Sequence, residues 1–311
     1  MYCIGFDIGG TKCAVSVGEV SRGNIKVLGR EEVPTGESAQ ETLERLAFAV
    51  ERFRDQYSVK RAGISCGGPL DSNTGVIGNP PNLKSGWYNF PIVEYVKNRF
   101  GLQAKLENDA NACAVAEWKF GAGRGATNMI FLTFGTGLGA GLILDGKLYS
   151  GANGNAGEVG HMRLSQNGPV GYGKAGSFEG FCSGGGIARL AKQMGEKLKE
   201  TPAFVSQLGG WECVTTKALS VAAFAGDPFA KKVFAKSGKM LGKGLSVVID
   251  FFNPERIVLG GVFMRSHQLL VPAMEKEIKK EALLCSASIC KIVPAKLSEN
   301  VGDIAALSLA I

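Results

Sequence analysis

Apolar positions along this chain alternate between short solid runs and helical spacing, and that order predicts stacked α/β layers. Residues 1–6 form an apolar run ending in Asp7-Ile8-Gly9-Gly10-Thr11-Lys12, and residues 13–17 are apolar again, which predicts strand, glycine turn, strand. Leu43, Leu46, Ala47, Val50 and Phe53 then recur at helical spacing, and residues 62–66 read as a buried strand before Gly67-Gly68-Pro69. Residues 104–106 predict the next strand, residues 110–120 a helix, and Gly121-Ala122-Gly123-Arg124-Gly125 the loop that closes the unit. Phe131-Leu132-Thr133-Phe134, Gly135-Thr136-Gly137-Leu138-Gly139 and the apolar residues 140–144 repeat the opening strand, glycine turn and strand.

Two domains are therefore expected: residues 1–118, completed by a C-terminal helix at 300–311, and residues 119–299. In the second, residues 151–186 are rich in Gly and Asn without periodicity and read as a long functional loop. Helical segments are expected at 185–199, 214–223 and 228–250, and a buried strand at 256–259 before Gly260-Gly261.

Composition narrows the classes. The 44 glycines among 311 residues are about twice the usual ~7% and show no collagen period, so turns and loops must use them. With 45% hydrophobic and 20% charged residues the chain is globular rather than disordered. Its net charge of +7 contains no run of five Lys or Arg, which argues against a nucleic-acid partner. No apolar stretch reaches the ~18 residues of a membrane helix. The eight cysteines show no C-x-x-C and the N-terminus no export signal, which predicts mostly buried, reduced thiols in the cytoplasm.

Paired Gly/Thr hairpin tips suit phosphate, because glycine lets backbone N–H groups crowd an anion while Thr and Lys add donors. Gly9, Gly10, Thr11 and Lys12 form one candidate cradle and Gly135, Thr136 and Gly137 the other; an ordinary hairpin would explain one such tip more readily than two. Asp7 would repel phosphate unless Mg²⁺ lay between, so it implies a metal nucleotide. None of the Gly-Lys pairs is followed by Ser or Thr, so a Walker A loop is absent. Gly171-Tyr172-Gly173-Lys174-Ala175-Gly176 matches G-x-G-x-x-G but follows Asn167-Gly168-Pro169 rather than a strand, which argues against a dinucleotide site. Asn108 and Asp109 lie between a strand end and a helix start, where one could serve as N-cap and Asp109 could accept a hydroxyl proton, as an ionised and therefore weak base. Glu158, His161 and Glu179 could together hold a polyhydroxy ligand.

These residues resemble the ROK family of sugar kinases and sugar-responsive repressors over nearly the whole chain. The segments that carry the resemblance are Asp7-Ile8-Gly9-Gly10-Thr11-Lys12, Gly78-Asn79-Pro80-Pro81-Asn82-Leu83 with Trp87, Glu107-Asn108-Asp109-Ala110-Asn111-Ala112, Gly135-Thr136-Gly137-Leu138-Gly139-Ala140-Gly141 and Gly157-Glu158-Val159-Gly160-His161, with Glu179 and Gly260-Gly261. The resemblance implies an α/β, actin-like (ribonuclease H-like) ATPase fold, with two similar domains flanking a cleft. It implies an ATP-dependent hexose kinase using Mg²⁺ with ATP: Asp109 as base, Gly68, Asn108, Asp109, Glu158, His161 and Glu179 around the sugar, and Asp7 holding the metal through water. Gly9, Gly10, Thr11, Lys12, Gly135, Thr136, Gly137, Gly260 and Gly261 would face the nucleotide. Glucose at O6 is the first expectation, with allose, fructose or N-acetylmannosamine open and a non-catalytic sugar-sensing regulator as the rival. Repressors of the family place a winged helix-turn-helix before the first phosphate loop, and only six residues precede Asp7 here, which favours the kinase. A homodimer is expected. The family's zinc motif C-x-C-G-x-x-G-C-x-E reads here as Val170 to Glu179 with Val170, Tyr172 and Ser177 replacing the cysteines, so no zinc site is expected.

Overall fold

The first glycine turn joins β1 (Tyr2–Ile8) to β2 (Lys12–Ser21) as an antiparallel hairpin in which Ile8 faces Cys13. β3 (Asn24–Pro34) extends it antiparallel; as an edge strand it leaves most side chains partly exposed, and its sequence lacks the alternation that marks a half-buried strand. α1 (Ala39–Tyr57) begins where Ser38 Oγ accepts the Glu41 N–H at 3.2 Å and Glu41 reaches back to the Glu37 amide, a local exchange of orphan donors. β4 (Arg61–Cys66) runs parallel to β1, followed by the small pair β5 (Leu70–Asp71) and β6 (Val76–Ile77), α2 (Ile92–Phe100), β7 (Gln103–Asn108) parallel to β4, and α3 (Asp109–Phe120). The sheet order is β3-β2-β1-β4-β7. Its register aligns Ile8, Cys66 and Asn108, so the first glycine turn, Gly67-Gly68 and Asp109 leave the sheet at one end.

The computed structural model describes residues 1–21, 23–297 and 301–311. β8 (Met129–Leu132), β9 (Ala140–Leu144) and β10 (Lys147–Tyr149) repeat the opening hairpin pattern. A 3-10 turn (Val159–His161), the hairpin β11 (Val170–Gly171) and β12 (Lys174–Ala175), α4 (Phe178–Cys182) and α5 (Gly184–Gly195) occupy the stretch expected as one long loop. These elements are only two to five residues long before α5, too short to generate a period. α6 (Ala203–Gln207), α7 (Thr216–Phe224), α8 (Pro228–Phe252), β13 (Arg256–Leu259), α9 (Val262–Glu281), α10 (Leu284–Ile289) and β14 (Lys291–Pro294) follow. In the second sheet, ordered β10-β9-β8-β13-β14, β13 runs parallel to both β8 and β14. α9 escapes sequence detection because Pro272 lies inside it and Ser266 breaks its helical geometry.

The chain packs as two units. One comprises Met1–Thr127, Gly141–Ala156 and Lys296–Ile311, the other Asn128–Ala140 and Gly157–Ala295. In the first, Ile4, Phe6, Val15, Leu43, Val50, Ile64, Trp87 and Phe100 form the core between the sheet and α1 and α2. The opposite face is covered by α3 and α11 (Val301–Leu309), where Ala112 and Ala116 meet Ala305 and Leu309. Asn300, the expected start of that last helix, and Glu299, the expected end of the second domain, lie outside the described residues. In the second unit β8 and β13 are buried, and α8 meets α9 where Cβ atoms on Gly238 and Gly242 would strike the carbonyls of Leu270 and Met274. Among the described residues no helix is long and apolar enough to cross a membrane. All eight cysteines are free; Cys3, Cys13, Cys66 and Cys182 are buried, while Cys213 and Cys285 are exposed against the expectation of mostly buried thiols.

α11 can lie close on β1 and β4 because Gly5 and Gly63 carry no side chain there: a Cβ on Gly5 would stand 2.9 Å from the Leu307 nitrogen, and one on Gly63 would run into the Ala306 carbonyl oxygen. Both obstacles are backbone, which cannot swing aside. Gly63→Ala is expected to destabilise the protein by about 1–3 kcal/mol through overpacking. A urea-unfolding midpoint equal to that of the wild type would show that α11 is not held by this contact.

Candidate active site

In the first unit the aligned strand ends gather Asp7, Gly9, Gly10, Gly68, Asn108 and Asp109. The turn is closed by the Gly9 N–H donating to the Lys12 carbonyl at 3.1 Å, and Thr35 Oγ1 donates to the Gly9 carbonyl at 2.6 Å. Gly10 admits the Asn82 carbonyl, which a Cβ would meet at 2.5 Å. The stretch around Asn82 thereby packs on the turn, whereas Trp87 is fully buried in the core with its Nε1 donating to the Gly36 carbonyl. Lys12 Nζ stands 2.6 Å from Glu32 Oε1, tying the turn to β3.

Asn108 is the N-cap of α3: its Oδ1 accepts the Ala110 N–H at 2.9 Å, and Asp109 Oδ1 accepts the same N–H at 2.8 Å. With its oxygen engaged, Asn108 offers its amide nitrogen, which faces Gly68 at 3.2 Å from where a Cβ would be. Glu107, buried at 8% exposure, orders this corner through one oxygen that accepts from the Asn108 N–H, Asn111 Nδ2 and Ser72 Oγ. Asp109 reaches solvent, yet surrounding protein strips hydration from its carboxyl and raises its pKa over the lowering effect of backbone hydrogen bonds at Ala110 and its own amide. It is thus a stronger base than its place at a helix N-terminus suggests. Asp7 is pushed up to about 6, first by burial and then by the negative charges of Asp303 and Asp109. Arg30 answers part of that charge, its Nε lying 3.0 and 3.2 Å from the two oxygens of Asp303.

In the second unit, the Gly135 N–H donates to the Gly137 carbonyl and Gly139 closes on Thr133. Gly261, at φ +56°, permits the close approach of the Phe134 carbonyl, and the Val262 N–H donates to that carbonyl at 2.8 Å, so Gly260-Gly261 sit against the second glycine turn. The N-terminus of α5 joins them: Ser183 Oγ caps the Gly186 N–H at 2.9 Å and the Gly184 N–H donates to the Gly135 carbonyl at 2.7 Å. Glu179, in the first turn of α4, accepts the Leu138 N–H at 3.1 Å through Oε2. Its Cβ also lies 3.4 Å from where a Cβ on Gly160 would be, so it stands between that turn and the Val159–His161 segment. Glu158 and His161 are both exposed.

The ROK family model matches residues 3–311. The chain belongs to the ROK family. A glucokinase of Streptomyces coelicolor is 33% identical over 99% of this chain and 96% of its own length. The regulator NagC of Escherichia coli is 29% identical over 96% of this chain and 73% of its own length. The crystal structure of a ROK family glucokinase from Streptomyces griseus, in complex with glucose and AMPPNP, superposes with a TM-score of 0.80 at 31% identity, covering 100% of this chain and 99% of that one. The chain has the α/β actin-like ATPase fold.

Three parts of this candidate site escape sequence reading. Glu107 stands beside the catalytic candidates in the string, but only its three hydrogen bonds show it as an organiser. The Arg30–Asp303 pair joins residues 273 positions apart. Ser183-Gly184-Gly185-Gly186 carries a signal that could have been used, a cap residue followed by glycines at a helix start.

Asp7 generates a test in the ligand-free protein. Its carboxyl holds a proton more tightly folded than unfolded, so folding stability falls as pH rises from its ordinary 3.8 through about 6. Asp7→Asn is expected to raise unfolding free energy by about 1–3 kcal/mol near pH ~7.5, with the gain vanishing below the unfolded pKa. Urea titrations at both pH values measure the difference. A pH-independent difference would mean that Asp7 carries no strained charge.

Proposed function

We propose that this protein is an ATP-dependent hexose kinase that transfers the γ-phosphoryl group to a sugar hydroxyl, with glucose O6 as acceptor. The observation that carries the reading is the placing of Asp109 at the aligned strand ends, beside the Gly9-Gly10 turn and Asn108, in a chain whose S. coelicolor relative is named a glucokinase. Asp109 accepts the hydroxyl proton as the sugar oxygen attacks the γ-phosphorus and the bond to the leaving phosphate oxygen breaks. The raised pKa helps because phosphoryl transfer needs a proton acceptor late in the reaction and orientation throughout.

Asn108 Nδ2 is assigned as donor to a neighbouring hydroxyl beside Gly68. Glu158, His161 and Glu179 are assigned to the remaining sugar hydroxyls. The backbone N–H groups of Gly9, Gly10, Thr11, Gly135, Thr136 and Gly137 are assigned to phosphate oxygens, and Gly260-Gly261 to the adenosine side. Lys12 serves the same turn, at present through its pairing with Glu32. Magnesium accompanying ATP fits Asp7, because a hard dication prefers oxygen ligands and would relieve the negative charge that Asp303 and Asp109 impose there. When bound with ATP it would neutralise charge on the phosphates.

Asp109→Asn is expected to lower kcat by about 10²–10⁴-fold while calorimetry finds glucose and nucleotide binding within a few-fold of wild type. Undiminished turnover would remove Asp109 from the reaction. A coupled ADP-release assay is expected to give glucose the highest kcat/KM. A higher value for allose, fructose or N-acetylmannosamine would replace the sugar, and no ADP release with any of them would overturn the kinase reading in favour of a sugar-binding regulator.

A further inference from the structure

The ROK zinc motif and the residues of this chain disagree, and the structure offers another way to hold the same loop. Zinc here would need thiolates at positions 170, 172 and 177. Val170 has no donor atom and is exposed. Ser177 Oγ is already committed, accepting the Gly180 N–H at 3.0 Å and donating to the Gly171 carbonyl at 3.3 Å. Tyr172 carries a phenol in place of a thiolate. This donor set does not fit the metal.

We propose that the β11–β12 hairpin is a metal-free clasp that positions His161 for the sugar, with Tyr172 and Lys174 as its positioning residues. The proposal rests on the hexose-kinase reading for the role of His161. Gly171 pairs with Lys174, so Tyr172-Gly173 form a two-residue tip at φ +42° and +74°. That left-handed region disfavours a bulky side chain, and an aromatic residue held there is a reason to ask what the ring does. The ring is 74% exposed and stands edge-on to the His161 imidazole, centroids 6.2 Å apart at 73°.

The other arm of the tip reaches the same residue: Lys174 Nζ donates to the His161 carbonyl at 2.8 Å. Further bonds strap the hairpin to the segment after His161. The Leu164 and Ser165 N–H groups donate to the Gly176 carbonyl, the Phe178 N–H donates to the Met162 carbonyl, and Arg163 donates to the Ala175 carbonyl. The Tyr172 ring contact and the Lys174 tie to the backbone carbonyl thus both bear on where the imidazole of His161 lies. Glu179 follows in the first turn of α4, so the clasp also fixes the spacing between two sugar-binding candidates.

Tyr172→Gly removes the ring and suits the left-handed backbone, so the hairpin should persist; Tyr172→Phe keeps the ring; Lys174→Met removes the donor. Y172G and K174M are each expected to raise the hexose KM about 3- to 10-fold with KM for ATP, kcat and the thermal midpoint little changed, and Y172F to behave as wild type. An unchanged hexose KM in both Y172G and K174M would overturn the proposal, as would one zinc per purified wild-type chain whose chelation raises the hexose KM. Should the wild-type protein phosphorylate no hexose, the kinase reading fails separately, and the imidazole NMR signals of His161 and His267 still decide the clasp. Movement of the His161 signal alone in Y172G and K174M supports it; coincidence with wild type in both variants overturns it.

Discussion

Asp7 is buried and feels the negative charges of Asp303 and Asp109, the first from α11 packed on the sheet and the second because three parallel strands end in register. A protein selected for stability alone would separate these carboxylates or pair each with a cation. Here Arg30 engages Asp303 and Glu32, and Lys12 engages Glu32, while Asp7 is left with a pKa near 6. Partly compensated charge at the mouth of a glycine turn is costly without a ligand and useful with one: a cation arriving with phosphate would remove the repulsion that folding had to accept. For Asp109 it is burial of the carboxyl that raises proton affinity, while two backbone N–H groups keep its orientation.

Close backbone approach does comparable work in the second unit. Gly261 lets the strand-to-helix turn after β13 press on Phe134, the glycine start of α5 meets Gly135, and Glu179 accepts from Leu138. A residue assigned to sugar is thus one hydrogen bond from a turn assigned to phosphate. A ligand that drew on Glu179 Oε2 would compete with one of the hydrogen bonds that hold the turn, a physical route of mutual influence through residues already in contact.

Legibility in the sequence followed the range of the interaction. β1, β2, α1, β4, β7 and α3 were readable because their buried positions repeat within ten to twenty residues, and both glycine turns because glycine punctuates strongly. β3 was missed because its side chains are at most half-buried and do not alternate, and α9 because Pro272 and the break at Ser266 interrupt its pattern. Asp7, Asn108 and Asp109 could be picked out from their place at strand ends, and the family resemblance named their roles. Long-range chemistry could not be read this way. The raised pKa of Asp109 depends on what packs around it, that of Asp7 on its burial and then on Asp303 nearly three hundred residues away, and the burial of Trp87 on the core between the sheet and α1 and α2.

The glycine register of the β11–β12 region shows why a motif can keep its spacing without its metal ligands. A Cβ on Gly176 would strike the Ser165 carbonyl, one on Gly180 the Pro169 carbonyl, and one on Gly171 would stand 2.5 Å from the Gly180 nitrogen. Those three glycines are required by backbone-to-backbone approaches, and Gly173 by its φ of +74° alone, all of them indifferent to whether thiolates and zinc are present. Metal cross-links hold points together from outside the hydrogen-bond network; here the network itself, with Ser177 at its centre, closes the loop. The glycines and the ligand positions of the motif therefore answer to different physics, and positions 170, 172 and 177 are free to become something else. Val170 and Tyr172 took exposed places at the hairpin, Ser177 a buried cap, and of the three only Tyr172 makes a ring contact with His161.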